Sequence, residues 1–305
     1  MKKFSENIVC AYLYSITKYG YPPPAENTLK YIDEMASLGF QSIELEGIRE
    51  EHLNKVYELK DDITQKLNKL ELSVPYFCVV LPKLSSPDSE VIKHQLKTFE
   101  KGCEIAKQFG AKGVLDNAPL PPYQFPEDVP VVRHYGEEEI GTAYFPDNLD
   151  WKNYWDRLTA TYSECCDIAA NYDLTYQLHP ALGLLSSNAD AFLKFYDDVN
   201  RENLRFTFDT ANQFAMKENL SLSLIRLAEF IDYIHISDNG GGRIEHLQLG
   251  KGKIRWDVFF DTLKKTKFNG YFGIDIGGDE SSVADLDSAY IHAAEFLEKQ
   301  FDNIK

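Results

Sequence analysis

The 305-residue sequence contains no apolar run near the ~20 residues that a membrane-crossing helix needs. It has no C-x-x-C pair either. The five cysteines (Cys10, Cys78, Cys103, Cys165 and Cys166) are odd in number and irregularly spaced. That spacing excludes a disulfide framework and reads as reduced, buried thiols in a cytoplasmic protein. Positive charge is scarce: 32 lysines and arginines face 48 acidic residues, a formal net charge of −16. So negative a surface repels phosphate backbones and anionic lipid, so neither nucleic acid nor a membrane is an expected partner. Met1-Lys2-Lys3 does not open a signal peptide in this reading, because Ser5-Glu6-Asn7 interrupts it and residues 8–14 lack a small-residue cleavage site. No Gly-rich phosphate loop follows that first apolar run; Tyr19-Gly20-Tyr21-Pro22-Pro23-Pro24 stands there instead.

What the chain does have is a rhythm. Short β-rich runs at residues 8–14, 42–46, 73–80, 113–116, 174–178, 204–209, 231–237 and 271–276 alternate with longer stretches of helical period. Ile92, Leu96, Phe99, Cys103 and Ala106 step by four and three, and Gly110 follows as a stop signal. Leu29, Ile32, Met35 and Leu38 behave likewise, closed by Gly39. Further helices fit residues 151–172, 189–199, 221–230, 256–265 and 284–301. Eight strand–helix units without a composition break predict one α/β domain over 1–305, a (β/α)8 TIM barrel. A doubly wound sheet is the main competitor, and the missing glycine loop weighs against it.

Alternation within the strands separates two faces. Phe206 and Phe208, Ile234 and Ile236, and Phe272 and Ile274 are apolar, whereas Thr207 and Asp209, Tyr233 and His235, Gly273 and Asp275, Glu44 and Glu46, and Gln177 and His179 share the other face. If the apolar set packs on the helices, the polar set points into the barrel, and its last members reach the C-terminal mouth where such barrels carry their chemistry. Asp209, His235 and Asp275 then end consecutive strands and make an oxygen-rich set for a divalent cation. Residues 116–150, with six prolines and no period, interrupt the rhythm after the fourth strand. A connection that long is usually functional or disordered. It reads as a lid over the mouth, with Arg133, His134 and Tyr135 as substrate contacts and Glu137-Glu138-Glu139 as a solvated run.

Two segments carry a resemblance. His235-Ile236-Ser237-Asp238-Asn239 is followed by His246-Leu247-Gln248-Leu249-Gly250-Lys251-Gly252-Lys253-Ile254-Arg255-Trp256. Together with Phe208-Asp209-Thr210-Ala211-Asn212, Tyr176-Gln177-Leu178-His179-Pro180 and Gly273-Ile274-Asp275, they resemble the sugar-phosphate isomerase/epimerase superfamily of xylose-isomerase-like barrels, which includes ketose 3-epimerases, inosose dehydratases and endonuclease IV. The resemblance implies metal ligands at Gln177, Asp209, His235 and Asp275, and a substrate that is a small sugar or polyol. It also implies proton removal next to a carbonyl, with an enediolate stabilised by the metal. The first and last ligands are glutamates in the epimerases and are Gln177 and Asp275 here, which compromises a two-glutamate proton exchange.

On this reading His179 is the acid/base, with a fourth metal ligand as its alternative role, and Asp275 is a base from the opposite side. Glu44, Glu46, Asn212, Asp238 and Arg133 are the expected substrate contacts. A donor set rich in oxygen with one imidazole favours Mn2+, with Mg2+ or Co2+ possible. Isomerisation or epimerisation is the expected reaction. A β-eliminating dehydratase or lyase acting on an inosose or a 3-keto-glycoside, including C-glycoside cleavage, is the runner-up. A non-catalytic sugar-binding barrel, as a homo-oligomer or with a small partner subunit, is the reading from another class. The endonuclease branch needs a histidine-rich site, which seven histidines and a charge of −16 do not supply.

Overall fold

In the computed structural model, residues 3–127, 129 and 135–304 are described. Eight parallel strands close a barrel: β1 Ile8–Cys10, β2 in two pieces (Ser42–Ile43 and Leu45–Ile48), β3 Tyr76–Val80, β4 Gly113–Asn117, β5 Thr175–His179, β6 in two pieces (Leu204–Phe206 and Phe208–Asp209), β7 Tyr233–Ile236 and β8 Tyr271–Ile274. Closure depends on the two broken strands. The first pieces of β2 and β6 pair with β1 and β5, respectively, and the second pieces pair with β3 and β7. Glu44 and Thr207 sit at the breaks, and each still donates its backbone N–H to the neighbouring strand, to Cys10 O and Leu178 O. This is the (β/α)8 architecture that the alternation predicts.

The helices follow their sequence signals closely. α1 is Leu13–Tyr19, α2 Thr28–Ser37, α3 Arg49–Leu70, α4 Ser89–Gln108, α5 Glu137–Thr142, α6 Trp151–Asn171, α7 Ala189–Val199, α8 Thr210–Ala215, α9 Leu220–Leu227, α10 Trp256–Thr266 and α11 Leu286–Ile304. Asp88 caps α4 by accepting from Glu90 N and Val91 N, and the Ile92, Leu96, Phe99, Cys103 and Ala106 stripe is buried against the sheet. One reading is corrected at the start. The apolar run 8–14 is not one strand, because β1 ends at Cys10 and Leu13 already opens α1. Both halves are buried, so hydrophobicity alone could not divide them. All five cysteines are free and buried. No helix among the described residues is long and apolar enough to cross a membrane.

Two hydrophobic bodies hold the barrel. The larger lies between strands and helices. The smaller fills the barrel interior with Val9, Tyr76, Cys78, Val80, Leu115 and Tyr233, where the Tyr76 and Tyr233 rings stack 4.4 Å apart. The inward face is therefore apolar and aromatic at mid-height, with polar groups layered above and below it. Residues 116–150 leave β4 and carry the short α5, plus one bridge between Gln124 and Tyr144. Tyr123 donates its hydroxyl to Gly183 O, which ties this segment to the loop after β5. Glu137, Glu138 and Glu139 form the first turn of α5, and Glu137 and Glu138 are exposed, as expected of a solvated run.

A buried histidine fixes the entry to the barrel mouth. His52 Nδ1 accepts from Ile48 N at 3.2 Å, and Nε2 lies 3.1 Å from Pro23 O, so Nε2 carries the proton and the ring is neutral. Burial pulls its pKa down to about 4. A base whose folded pKa lies below its unfolded value contributes fully at neutral pH and loses that contribution as pH falls from about 6.5 toward 4, by roughly 3 kcal/mol. Urea unfolding followed across that interval should show the loss in the wild type and a flatter pH dependence in His52→Gln. Parallel curves for the two proteins would remove His52 from the acid response.

Candidate metal and active site

The last residues of the strands build the site. His179 ends β5, Asp209 ends β6, His235 lies one before the end of β7, and Asp275 follows β8 directly. One ligand atom from each lies within 4.8 Å of all the others, and all four residues are buried. Strand register places Asp209 beside His235 and His235 beside Gly273. Glycine is required at 273, because a Cβ there would stand 2.4 Å from Tyr233 Oη and 2.9 Å from His235 Cδ2. Its absence lets the imidazole lie across β8.

Each donor is aimed by a second contact. Asp209 Oδ1 accepts from Asn212 N at 2.7 Å as the cap of α8, leaving Oδ2 for His179 Nε2 at 2.9 Å. His235 Nε2 donates to Glu44 Oε2 at 3.0 Å, while its Nδ1 has no hydrogen-bond partner and faces Asp275 Oδ2 at 3.8 Å. An imidazole held by a carboxylate on its outer nitrogen, with the inner one directed at an acidic group, is the usual preparation of a metal-ligating histidine. Electrostatics agrees. Burial opposes charge on His235, but Glu44 and Asp275 outweigh it and push the imidazole up to about 9. Asp209 is held well below the usual carboxylate range in spite of burial by His179 and His246. Burial dominates at His179 and pulls it down.

Gln177, an expected ligand, is drawn away from this group by its amide nitrogen, while its Oε1 has no hydrogen-bond partner among the described residues. Its amide Nε2 donates to Asp232 Oδ1 at 2.5 Å and to Thr175 Oγ1 at 3.1 Å, toward the other end of the barrel. Two residues along a strand are about 6.6 Å, so Gln177 sits one inward layer too deep and His179 occupies the level of Asp209. Glu44 and Asp238 are also corrected as substrate contacts. Glu44 accepts from Tyr12 N, Tyr233 Oη and His235 Nε2 and is buried. Asp238 accepts from Asn239 N, Gly250 N, Ile254 N and Trp256 Nε1, which leaves nothing for a sugar. Asn212 is buried as well: its Nδ2 donates to Pro180 O at 2.9 Å and ties the end of β5 to α8, while its Oδ1 has no hydrogen-bond partner among the described residues. Glu46 is half-buried beside Glu44 and Cys78 on the inward face. Arg133 and His134 lie outside the described residues.

A further histidine joins the site from a loop. The sequence marks His246 only as the first residue of the 246–256 motif. Asp238 shapes that loop and pairs with Leu247 in both backbone directions, and His246 thereby enters the site, fully buried. Its Nδ1 donates to Glu280 Oε1 at 2.8 Å, and Nε2 stands 3.5 Å from Asp275 Oδ2 and 3.8 Å from Asp209 Oδ2. Gly277 and Gly278, with φ of 134° and 78°, turn the chain after β8 so that Glu280 can fold back. Above this layer lies a cleft of about 610 Å3 lined by Thr17, Tyr21, Tyr135, Leu182, Arg243 and Glu280 among others.

Residues 32–300 match the family described as xylose isomerase-like TIM barrel. An uncharacterized protein of Methanocaldococcus jannaschii is 29% identical over 168 residues, covering 52% of this chain and 55% of its own. The chain spans about half or less of the length of the curated relatives it matches. Among solved structures, a D-allulose 3-epimerase from Methylomonas sp. in complex with D-allulose superposes with a TM-score of 0.72 at 16% identity, covering 98% of this chain and 99% of the other. A 3-keto-D-glucoside 4-epimerase from E. coli gives 0.71 at 15%, covering 97% and 100%. At such identities these structures share the fold.

Removing the Asp238 carboxylate leaves four donors unanswered, at a cost of about 2–4 kcal/mol. Asp238→Ala should therefore speed amide exchange across residues 246–254 while exchange in β1 to β5 stays slow. Unchanged protection of that loop would show that Asp238 does not organise it.

Proposed function

Because the chain belongs to the xylose isomerase-like TIM-barrel family, we propose that it is a metal-dependent isomerase or epimerase of a sugar or polyol, working by proton transfer next to a carbonyl. The observation that carries this reading is the group of His179, Asp209, His235 and Asp275, with His235 Nδ1 unpartnered and its outer nitrogen clamped by Glu44. Two carboxylates and two imidazoles fit a divalent transition ion. The second nitrogen donor weighs against Mg2+ and keeps Mn2+ and Co2+ in play. Held by these four residues, such a cation would supply Lewis-acid polarisation of a carbonyl beside the carbon that loses its proton.

The protein's own groups then have distinct tasks. His179 and His235 would hold the cation through ring nitrogens once the protons they carry toward Asp209 and Asp275 are displaced. Asp209, with Oδ1 committed to α8, offers one oxygen. His179 is committed to Asp209 in this arrangement and so is better suited to ligation than to the acid/base role expected of it. Proton transfer falls to Asp275 and to His246, whose orientation Glu280 fixes through Nδ1–H. Glu46 remains the inward carboxylate for sugar hydroxyls. The 116–150 segment acts as a lid: Tyr135 lines the cleft, and a Cβ on Gly183 would stand 2.6 Å from Ile140 Cδ1, so α5 lies close to the loop after β5. Closing the mouth excludes water that would reprotonate the enediolate unproductively.

β-Elimination is the second reading, favoured by one observation. Where a glutamate pair would exchange protons symmetrically, this chain sets an imidazole–carboxylate pair, His246–Glu280, against a single aspartate, Asp275. The two reactions separate by NMR in D2O. Deuterium entering recovered sugar without loss of a group is expected, whereas release of a substituent with a double bond or its hydration product in the sugar would establish the lyase.

Metal content distinguishes the residues. His179→Ala, Asp209→Ala and His235→Ala should each lose stoichiometric Mn2+ or Co2+ and activity together, with the barrel folded. Gln177→Ala should keep its metal. If elemental analysis finds full metal in His179→Ala with turnover lower by roughly 10²–10⁴, His179 is the acid/base after all.

A further inference from the structure

Resting on the sugar-binding reading above, we propose that Arg49 anchors an oxyanion, a phosphate or carboxylate carried by the substrate on the end away from the reacting carbons. Arg49 is half-buried where β2 passes into α3 at the barrel mouth. Among the described residues its guanidinium has neither a hydrogen bond nor an ion pair; it lies over the face of Tyr21, 5.6 Å from the ring centroid. A guanidinium kept partly out of water without an acceptor is costly unless a ligand completes it. Its backbone adds to the case, because φ is +59°, a left-handed conformation that a non-glycine residue holds at a cost of about 1–2 kcal/mol. Such strain persists where the surroundings require the side chain in one place.

The surroundings set a few polar groups and one cation into a wall of leucines, alanines and a proline. Arg49 lines a small cavity of about 90 Å3 with Tyr21, Ser85, Asn117, Tyr135 and Tyr162. The Asn117 side-chain amide also forms no hydrogen bond among the described residues, and the Ser85 and Tyr162 hydroxyls share only a 3.4 Å contact. One cation, one amide and two hydroxyls thus converge with few mutual bonds. The carboxyl of Asp116 also borders the cavity, but its oxygens accept from Leu81 N, Asn117 N and Tyr176 Oη. Burial raises it to about 7, which weakens its opposition to an anion. The cavity adjoins the metal group, since Asn117 is the register partner of His179 and neighbouring strands are about 4.8 Å apart. One short sugar can span both. A neutral hydroxyl would need no guanidinium; an oxyanion would.

Calorimetry with unreactive polyols tests this: sorbitol, sorbitol 6-phosphate and gluconate, with inorganic phosphate as a fourth probe. The wild type should bind one of the anionic polyols roughly 10–100-fold more tightly than sorbitol, and the tighter of the two identifies the anion. In Arg49→Met, checked for folding by circular dichroism, that ratio should collapse to within about threefold, and Arg49→Lys should retain part of it. Equal wild-type affinity for all three polyols, or a ratio that survives Arg49→Met, overturns the proposal. If no polyol binds but inorganic phosphate does, in an Arg49-dependent way, the anion site stands and the sugar reading fails. Absence of Arg49-dependent binding of every anionic probe, sorbitol 6-phosphate, gluconate and inorganic phosphate alike, overturns the anchor even where sorbitol binds.

Discussion

Two carboxylates, Asp209 and Asp275, are held out of water at the mouth of the barrel, and like charges in so dry a place persist only if positive charge faces them. Three imidazoles face them here, from His179, His235 and His246, and among them Glu44 and Asp275 push His235 toward its charged form while burial pulls His179 the other way. Much of the surrounding geometry answers to this requirement. Asp209 must commit one oxygen to α8 so that the other turns inward, and Gly273 must lack a side chain so that His235 can cross β8.

The next shell outward is acidic as well. Glu44 grips His235, and Glu280 grips His246, so these two imidazoles lie between an outer carboxylate and the inner pair. Asp238 acts at one further remove: it touches no reacting group, but the loop it gathers brings His246 into place. This nesting explains why a chain with a net charge of −16 can hold so many acids at one end of its barrel. Removing an inner member leaves its outer partner unpaired, so the layer should respond as a unit rather than residue by residue.

Above the charged layer the character changes. Tyr21 and Tyr135 border both the larger cleft and the small cavity that holds Arg49. A substrate engaged at both places would be gripped at its reacting carbons by the buried layer and at its far end by a cation. Binding energy from a remote group can then be used to orient the reacting end. The 116–150 segment supplies Tyr135 to both spaces, which makes it the element best placed to link binding with exclusion of water.

The architecture was legible in the sequence because burial imposes periods: two along strands, 3.6 along helices, and eight repeats of the pair. Asp209, His235 and Asp275 were legible for the same reason, as the last inward residues of consecutive strands. Depth along a strand was not. Gln177 and His179 face the same side, so period alone cannot tell which one reaches the mouth; only the stagger of the closed barrel decides, and it chose His179. The exchange of Glu44 and Asp238 from sugar contacts to supports has a similar cause. A carboxylate's role depends on how many donors converge on it, and those donors come from residues as far apart as Tyr12 and Tyr233. His246 was hidden in a loop with no period to mark it. Hydrophobic patterning thus determines which residues face inward, whereas the stagger of the strands and long-range hydrogen bonds determine which of them meet.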